Sequence, residues 1–304
     1  MGERRRASDT ALDWVIRARR YEYHLSAATP FHADVNFHPD PTPLELDIHE
    51  GIELGLLLEG EEERHYQGYL LRCRPGDVWM SAMWEPHGWR ILQPNTRNLV
   101  FVFLPQFLGE ELVGDIPWLS LLALPPEDRP TVSSPELRAH LLSIAAELRS
   151  ELERRSRGWI SSLRLNLLRL LLALSRDWRP FPPDPDLLQL HTHDLSRIMP
   201  ALSLVHADLS HRISARQAAS VCKVSRAHFN RLFTQSMGLS FARFSLRARL
   251  ALSAHLLLSS NLSLQAIADQ AGFVDASHLH RSFVQFYGST PGRYRLRSND
   301  PGPK

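Results

Sequence analysis

In the C-terminal third of the chain, the apolar positions recur with helical spacing. Phe229, Leu232, Phe233 and Met237 fall at i, i+3, i+4 and i+8, which predicts a helix over 225–238 with one buried stripe. Further upstream, Leu163, Leu167, Leu170 and Leu174 follow i, i+4, i+7 and i+11, and Leu168, Leu171 and Leu172 widen that stripe. A helix apolar over so much of its girth must be covered on more than one side. The preceding helical stretch "PELRAHLLSIAAELRSELERR" together with the N-terminal region would cover it, and so would a second copy of the chain. Before residue 105 the pattern changes to short runs such as "LELDIHEGIELGLLLEG" and "VWMSAMW", parted by turn residues at Glu50-Gly51 and Pro75-Gly76-Asp77. Short strands at close spacing predict a small sandwich or barrel. Four prolines, Pro180, Pro182, Pro183 and Pro185, then predict a stiff extended linker. The chain therefore reads as α+β: a strand-rich region over 1–125, a helical hairpin over 126–178, a linker over 179–194, an all-helical domain over 195–297 and a tail over 298–304.

The helical domain repeats itself. "SRAHFNRLFTQSMG" begins at Ser225, and "DASHLHRSFVQFYG" begins fifty residues later at Asp275. The pairs His228/His278, Arg231/Arg281, Phe233/Phe283, Gln235/Gln285, Gly238/Gly288 and Arg243/Arg293 are identical. Ser225 and Asp275 each offer an oxygen to the first N–H groups of a helix, and each Gly stands where a helix end favours positive φ. A shorter segment precedes each copy, with Ser214 or Ser263 as its cap and small residues that allow close approach. The joints, Lys223-Val224 and Gly272-Phe273, have the length of the turn in a helix-turn-helix, whose second helix enters the major groove. Opposite the apolar stripe, the first copy presents Arg226, Ala227, Asn230, Arg231 and Thr234, and the second Ala276, Ser277, His280, Arg281 and Gln285. Arg can read guanine bidentately, and Asn or Gln can read adenine.

Charge agrees with a nucleic-acid role for this part alone. Residues 195–297 hold 13 Lys and Arg against three acids, a net of +10, whereas residues 1–194 hold 21 against 29. The overall formal charge of +2 hides this division. A basic domain on an acidic remainder is the electrostatic footprint of phosphate binding by one end of the molecule.

"LQAIADQAGFVDASHLHRSFVQFYGSTPGRYR" resembles the signature of the AraC/XylS family of transcription regulators. The resemblance implies two helix-turn-helix units joined by a long helix, here "SFARFSLRARLALSAHLLLSS" from Ser240 to Ser260. It also implies base contacts from Ala227, Asn230 and Arg231 in the first unit and from Ser277, His278 and Arg281 in the second. Arg226 joins them on the exposed face. In the N-terminal region, the spacing of Asp47, His49, Glu53 and Gly60, followed by Gly76 and His87, resembles the two motifs of the cupin barrel. The resemblance implies a cupin-like barrel that holds a small effector, with Asp47, His49, Glu53, Trp84 and His87 as candidate contacts. The same imidazole and carboxylate set, Asp47, His49, Glu53 and His87, has the donor types of a divalent transition-metal site. That admits another function, a cupin-type metalloenzyme (oxygenase or isomerase) with a basic DNA-associating tail.

For the regulator, no cofactor and no catalytic residue is expected. The expected partners are a double-stranded DNA operator, a small-molecule effector, a second copy of the chain and RNA polymerase. Cys73 and Cys222 lie in different domains and argue against a disulfide framework, which fits a reducing cytoplasm. The start "MGERRRASDT" lacks the apolar run of a signal peptide, and "LRLNLLRLLLAL" is too short to span a bilayer, so no membrane association is expected.

Overall fold

The computed structural model describes residues 4–5, 19–20, 23–26, 28–66, 69–108, 122, 124–177, 192–237 and 239–297. Among the described residues, ten strands occupy the N-terminal part: β1 (Arg4–Arg5), β2 (Arg19–Arg20), β3 (Phe31–His38), β4 (Glu45–Ile48), β5 (Ile52–Glu59), β6 (Glu62–Tyr66), β7 (Tyr69–Cys73), β8 (Val78–Ser81), β9 (His87–Ile91) and β10 (Thr96–Phe103). They form two sheets, one in the order β1-β7-β6-β9-β4-β2 and one in the order β3-β10-β5-β8. The α+β expectation holds, with the strands arranged in two sheets. The described strands do not close into one sheet; they make a two-sheet sandwich whose inner faces meet through side chains. β6 and β7 alternate buried and half-buried positions, as strands with one covered face do, but β5 is buried over six consecutive residues.

Behind the sheets lies the helical hairpin, α1 (Pro135–Arg154) and α2 (Trp159–Asp177). Ser134 caps α1, accepting from Leu137 N at 3.0 Å. The broad leucine stripe is mostly spent inside the chain: Leu163, Leu167, Leu168, Leu170, Leu171 and Leu174 are buried, while Ile160 and Leu165 on the same helix stay exposed. Phe31 stacks on Phe107 at 4.4 Å between ring centres and meets Trp159 edge-on at 5.9 Å, tying α2 to the sandwich.

The C-terminal domain is all helix: α3 (Thr192–Ala207), α4 (Ala215–Val221), α5 (Arg226–Met237), α6 (Phe241–Ser259), α7 (Leu264–Gln270), α8 (Ala276–Tyr287) and α9 (Pro291–Arg297). α3 begins three residues inside the stretch assigned to the linker; residues 178–191, with the four prolines, lie outside the described residues. The long helix runs between its expected ends, with Ser240 as N-cap and Ser260 as C-cap. At 1.5 Å per residue, its 19 residues give a rod about 28 Å long. Phe229 and Phe233 of α5 pack on Phe241 at its N-terminal end, and Arg249 near its middle lies over Phe273 of the second unit. One rod thus carries both units.

Candidate functional site

Each helix-turn-helix unit is fixed by its own caps. Ser214 and Gln217 form a reciprocal capping box at α4, and Ser225 Oγ accepts from His228 N at 3.2 Å to start α5. In the second unit Ser263 Oγ accepts from Ala266 N at 3.1 Å, and an Asp275 carboxyl oxygen accepts from His278 N at 2.6 Å. Gly288 ends α8 in the left-handed region, φ 66°. Both turns need that region too, Lys223 at φ 54° and Gly272 at φ 67°. A Cβ on Gly272 would lie 2.6 Å from the Ser210 carbonyl oxygen, so the turn of the second unit rests on the backbone of the loop between α3 and α4.

With Phe229, Leu232, Phe233 and Met237 buried, α5 turns Arg226, Ala227, Asn230, Arg231 and Thr234 to the outside. On α8, Leu279, Phe283 and Tyr287 are buried, and Ser277, His280, Arg281 and Gln285 are exposed. His278 differs from the rest. It is half-buried against Phe273, with ring centres 5.3 Å apart; burial, then the charges of Arg249, Arg212 and Arg281, push its pKa down. The imidazole is thus the packing wedge between turn and helix as well as a candidate contact. Arg231 Nη2 donates to His228 Nδ1 at 3.0 Å, which holds its guanidinium over the helix. Arg249 faces inward: Nη1 donates to the Gly272 carbonyl at 2.8 Å and Nε to the Ser245 carbonyl at 3.3 Å. It clamps the second turn to α6.

The second candidate site is inside the sandwich. Register places Asp47 of β4 opposite His87 of β9, and Glu53 reaches across from β5. All of Asp47, His49, Glu53 and His87 are buried, with candidate ligand atoms within 4.8 Å of one another. Glu53 Oε2 lies 3.3 Å from His49 Nε2 and 3.2 Å from His87 Nε2, while Oε1 accepts from Arg64 Nη2 and from Trp79 Nε1 at 2.6 Å. The Trp79 indole reaches it by crossing Gly55, where a Cβ would stand 2.0 Å from the ring.

Tautomers follow from the remaining partners. His49 Nδ1 lies 3.1 Å from the Gly51 carbonyl and His87 Nδ1 lies 2.8 Å from the Glu85 carbonyl, and a carbonyl only accepts, so both Nδ1 atoms carry hydrogen. Each Nε2 then meets the Glu53 carboxylate either with a second proton or with a shared cation between them. Backbone carbonyls that fix Nδ1 and leave Nε2 pointing inward are also what metal-ligating imidazoles use, so the donor set fits a divalent ion. For Glu53, burial opposes ionisation, but Arg64, His87 and the imidazole hydrogen bonds outweigh it and hold the carboxyl well below the usual range. For His49, burial opposes protonation, but Asp47, Glu53 and Glu50 together raise its pKa.

A cavity of about 200 Å³ opens onto this cluster, bordered by Asp47, Glu53, Arg64, Trp89, Asn36 and Asn98 among others. The imidazoles stand behind its acidic wall. Trp84, expected as a contact, does not border it; that residue is buried in the β8–β9 turn at φ 56°, with its N–H donating to the His49 carbonyl at 2.9 Å. Arg64 and Trp89 take the place expected for Trp84. Sequence reading missed Arg64 because β6 turns Glu62, Arg64 and Tyr66 inward, so its buried positions carry charge rather than hydrocarbon.

Two capped helix-turn-helix units on one connecting helix define a class, the double helix-turn-helix domain. Residues 218–297 match the family model described as "Helix-turn-helix domain". This C-terminal domain is of the AraC/XylS type. Among curated relatives, the "RCS-specific HTH-type transcriptional activator RclR" of Escherichia coli (strain K12) is 31% identical over 93 residues, 31% of this chain and 33% of the relative. An "Uncharacterized HTH-type transcriptional regulator" of Haemophilus influenzae is 38% identical over 79 residues, 26% of each chain. The chain thus spans a third or less of the length of these two relatives. Among solved structures, an AraC-type regulator from Chromobacterium violaceum is 26% identical, with a TM-score of 0.34, over 37% of this chain and 100% of that one. Fatty-acid-bound ToxT from Vibrio cholerae is 14% identical, with a TM-score of 0.46, over 88% and 95%.

Proposed function

We propose that the whole chain is a sequence-specific DNA-binding transcription regulator controlled by a small molecule held in the N-terminal sandwich. The observation that carries this reading is the pair of capped helices, each with an apolar face buried and a face of base-reading side chains exposed, set on one rod. Arg226, Asn230 and Arg231 on α5 and Ser277 and Arg281 on α8 read bases; Ala227 contributes apolar contact, and His278 contributes from its half-buried position. The curated relatives, named as transcriptional regulators, support the same reading. The effector occupies the 200 Å³ cavity. Its acidic wall, the Arg64 guanidinium and two amides suit a small polar molecule, oriented on one side by the Trp89 ring. The regulator is not an enzyme, works in the cytoplasm as a homodimer, and contacts RNA polymerase from its operator.

Selection of duplexes from a random pool by the full chain tests this. Enrichment of a site with two separate blocks is expected. A chain that binds the pool without enriching any sequence would overturn the proposal. The metal fit has its own check, elemental analysis of the purified chain before and after chelation. Stoichiometric metal lost together with DNA preference would make the ion part of the effector site.

A further inference from the structure

The two helix-turn-helix units differ by one residue between turn and cap. In each, a left-handed residue makes the turn, Lys223 in the first and Gly272 in the second. The next residue donates its N–H five positions back, Val224 to the Ala219 carbonyl at 3.1 Å and Phe273 to the Ala268 carbonyl at 2.8 Å. Val224 and Phe273 are therefore equivalent, and both pack on the core of the domain. The first unit passes directly from Val224 to its cap, Ser225. The second interposes Val274 before its cap, Asp275. Val274 has no counterpart in the first unit.

The inserted side chain points outward, 70% exposed. A residue just before an N-cap commonly folds back on the fourth residue of the helix, here the buried Leu279, and at that exposure Val274 does not. Phosphate is a poor occupant of this end of α8. The Ala276 N–H donates to Gln265 Oε1 at 3.2 Å and the His278 N–H to an Asp275 carboxyl oxygen at 2.6 Å, so two first-turn donors are spent. The exposed Asp275 carboxylate would also repel a phosphate. What this end presents is hydrocarbon, next to the exposed Ser277 hydroxyl. The N-terminal residues of such a helix are the ones that meet base edges. In the major groove, thymine alone offers a methyl group, and apolar side chains recognise it.

We propose that Val274 is a specificity-determining residue, whose isopropyl group covers the C5-methyl of a thymine in the block read by α8. The proposal rests on the reading of α8 as a major-groove helix. The insertion gives the second unit an apolar contact for which the first has no residue, so two helices of similar spelling read different blocks.

The test is titration of the full chain against the duplex it selects from a random pool, with each thymine of the α8 block replaced in turn by deoxyuridine, which lacks only that methyl. One replacement should weaken binding by the parent about fourfold, the effect of one buried methyl-sized group. Val274→Ser should bind the thymine duplex about fourfold or more weakly and should no longer distinguish thymine from deoxyuridine at that position. Val274→Ile should keep the distinction. Neither variant should alter preference in the α5 block. The proposal is overturned if the α8 block holds no thymine, if no replacement weakens the parent, or if Val274→Ser retains the penalty, which would assign the methyl to another side chain. Unchanged DNA binding by Val274→Ser together with a lower oligomeric state would assign the valine to a protein contact and likewise overturn it. A chain that enriches no sequence at all would overturn the reading of α8 and the proposal with it, an outcome distinct from the others.

Discussion

Replacing Gly272 by Ala tests how the second unit is held. The residue sits at φ 67°, a conformation that costs a residue with a Cβ about 1–2 kcal/mol. The new Cβ would also stand 2.6 Å from the Ser210 carbonyl oxygen and 3.1 Å from Arg212 N, both backbone atoms that cannot swing aside. That loop is itself fixed, because Asp208 Oδ1 accepts from Ser210 N at 2.8 Å. Forcing a methyl group into such a contact costs about 1–3 kcal/mol more, for a total of about 2–5 kcal/mol. Displacing the turn would also pull the Gly272 carbonyl from Arg249 Nη1. The matching position in the first unit is Lys223, already at φ 54° with a side chain. There Lys223→Gly removes the same conformational cost and adds about 0.4–1 kcal/mol of unfolded-state entropy, so it should be neutral or stabilising by up to about 1.6 kcal/mol. The assay is amide hydrogen exchange on the full chain, read on peptides from α7–α8 and from α4–α5. Gly272→Ala should lose protection in α7–α8 by tens-fold or more while α4–α5 changes less, and Lys223→Gly should lose none. Unchanged protection in Gly272→Ala, or losses of similar size in both variants, would refute the reasoning.

The sandwich interior makes its own predictions. Glu53→Gln takes from the buried Arg64 its closer carboxylate, leaving Glu62 at 3.8 Å, and should destabilise the sandwich by about 3 kcal/mol in urea unfolding followed by tryptophan fluorescence. Because the Glu53 carboxyl is held below its ordinary value of 4.5, its stabilisation is fully present above that pH and is lost as pH falls through the depressed folded value. The parent should therefore lose stability on acidification over a range where Glu53→Gln changes less; parallel acid limbs would contradict this. Cys73 and Cys222 are both buried free thiols whose pKa burial raises, Cys73 the more strongly. A thiol reagent at neutral pH should label neither quickly in the folded chain and both in urea; rapid labelling of native Cys73 would contradict the packing around β7.

The C-terminal domain was legible in the sequence because its rules are local. Caps at Ser214, Ser225, Ser263 and Asp275, the stripe from Phe229 to Met237, and the serines bounding α6 each declare themselves within a few residues. The fit of Gly272 against Ser210 was hidden, since it depends on a loop sixty residues earlier. In the sandwich, pairing is non-local and β5 is buried without alternation, so strands could be seen but not their closure into two sheets. Asp47, Glu53 and His87 do meet, as their spacing suggested. Arg64 and Trp79 complete the cluster from positions where a buried charge and an indole read as ordinary strand. The inward turn of Arg249 was hidden for the same reason, since its bond to the Gly272 carbonyl joins residues 23 positions apart.

The central claim is that α5 and α8 read two different segments of one DNA site. Arg231 and Arg281 hold equivalent positions on the two helices, both exposed, and among the described residues no carboxylate pairs with either. The direct measurement is selection from a randomised duplex pool by the parent, Arg231→Ala and Arg281→Ala full-length chains. Each substitution should cost about 1–3 kcal/mol and relax preference over one short block. The two blocks should differ and lie about 10 base pairs apart, one helical turn of DNA. Relaxation of the same block by both variants, or of no block by either, would contradict the account.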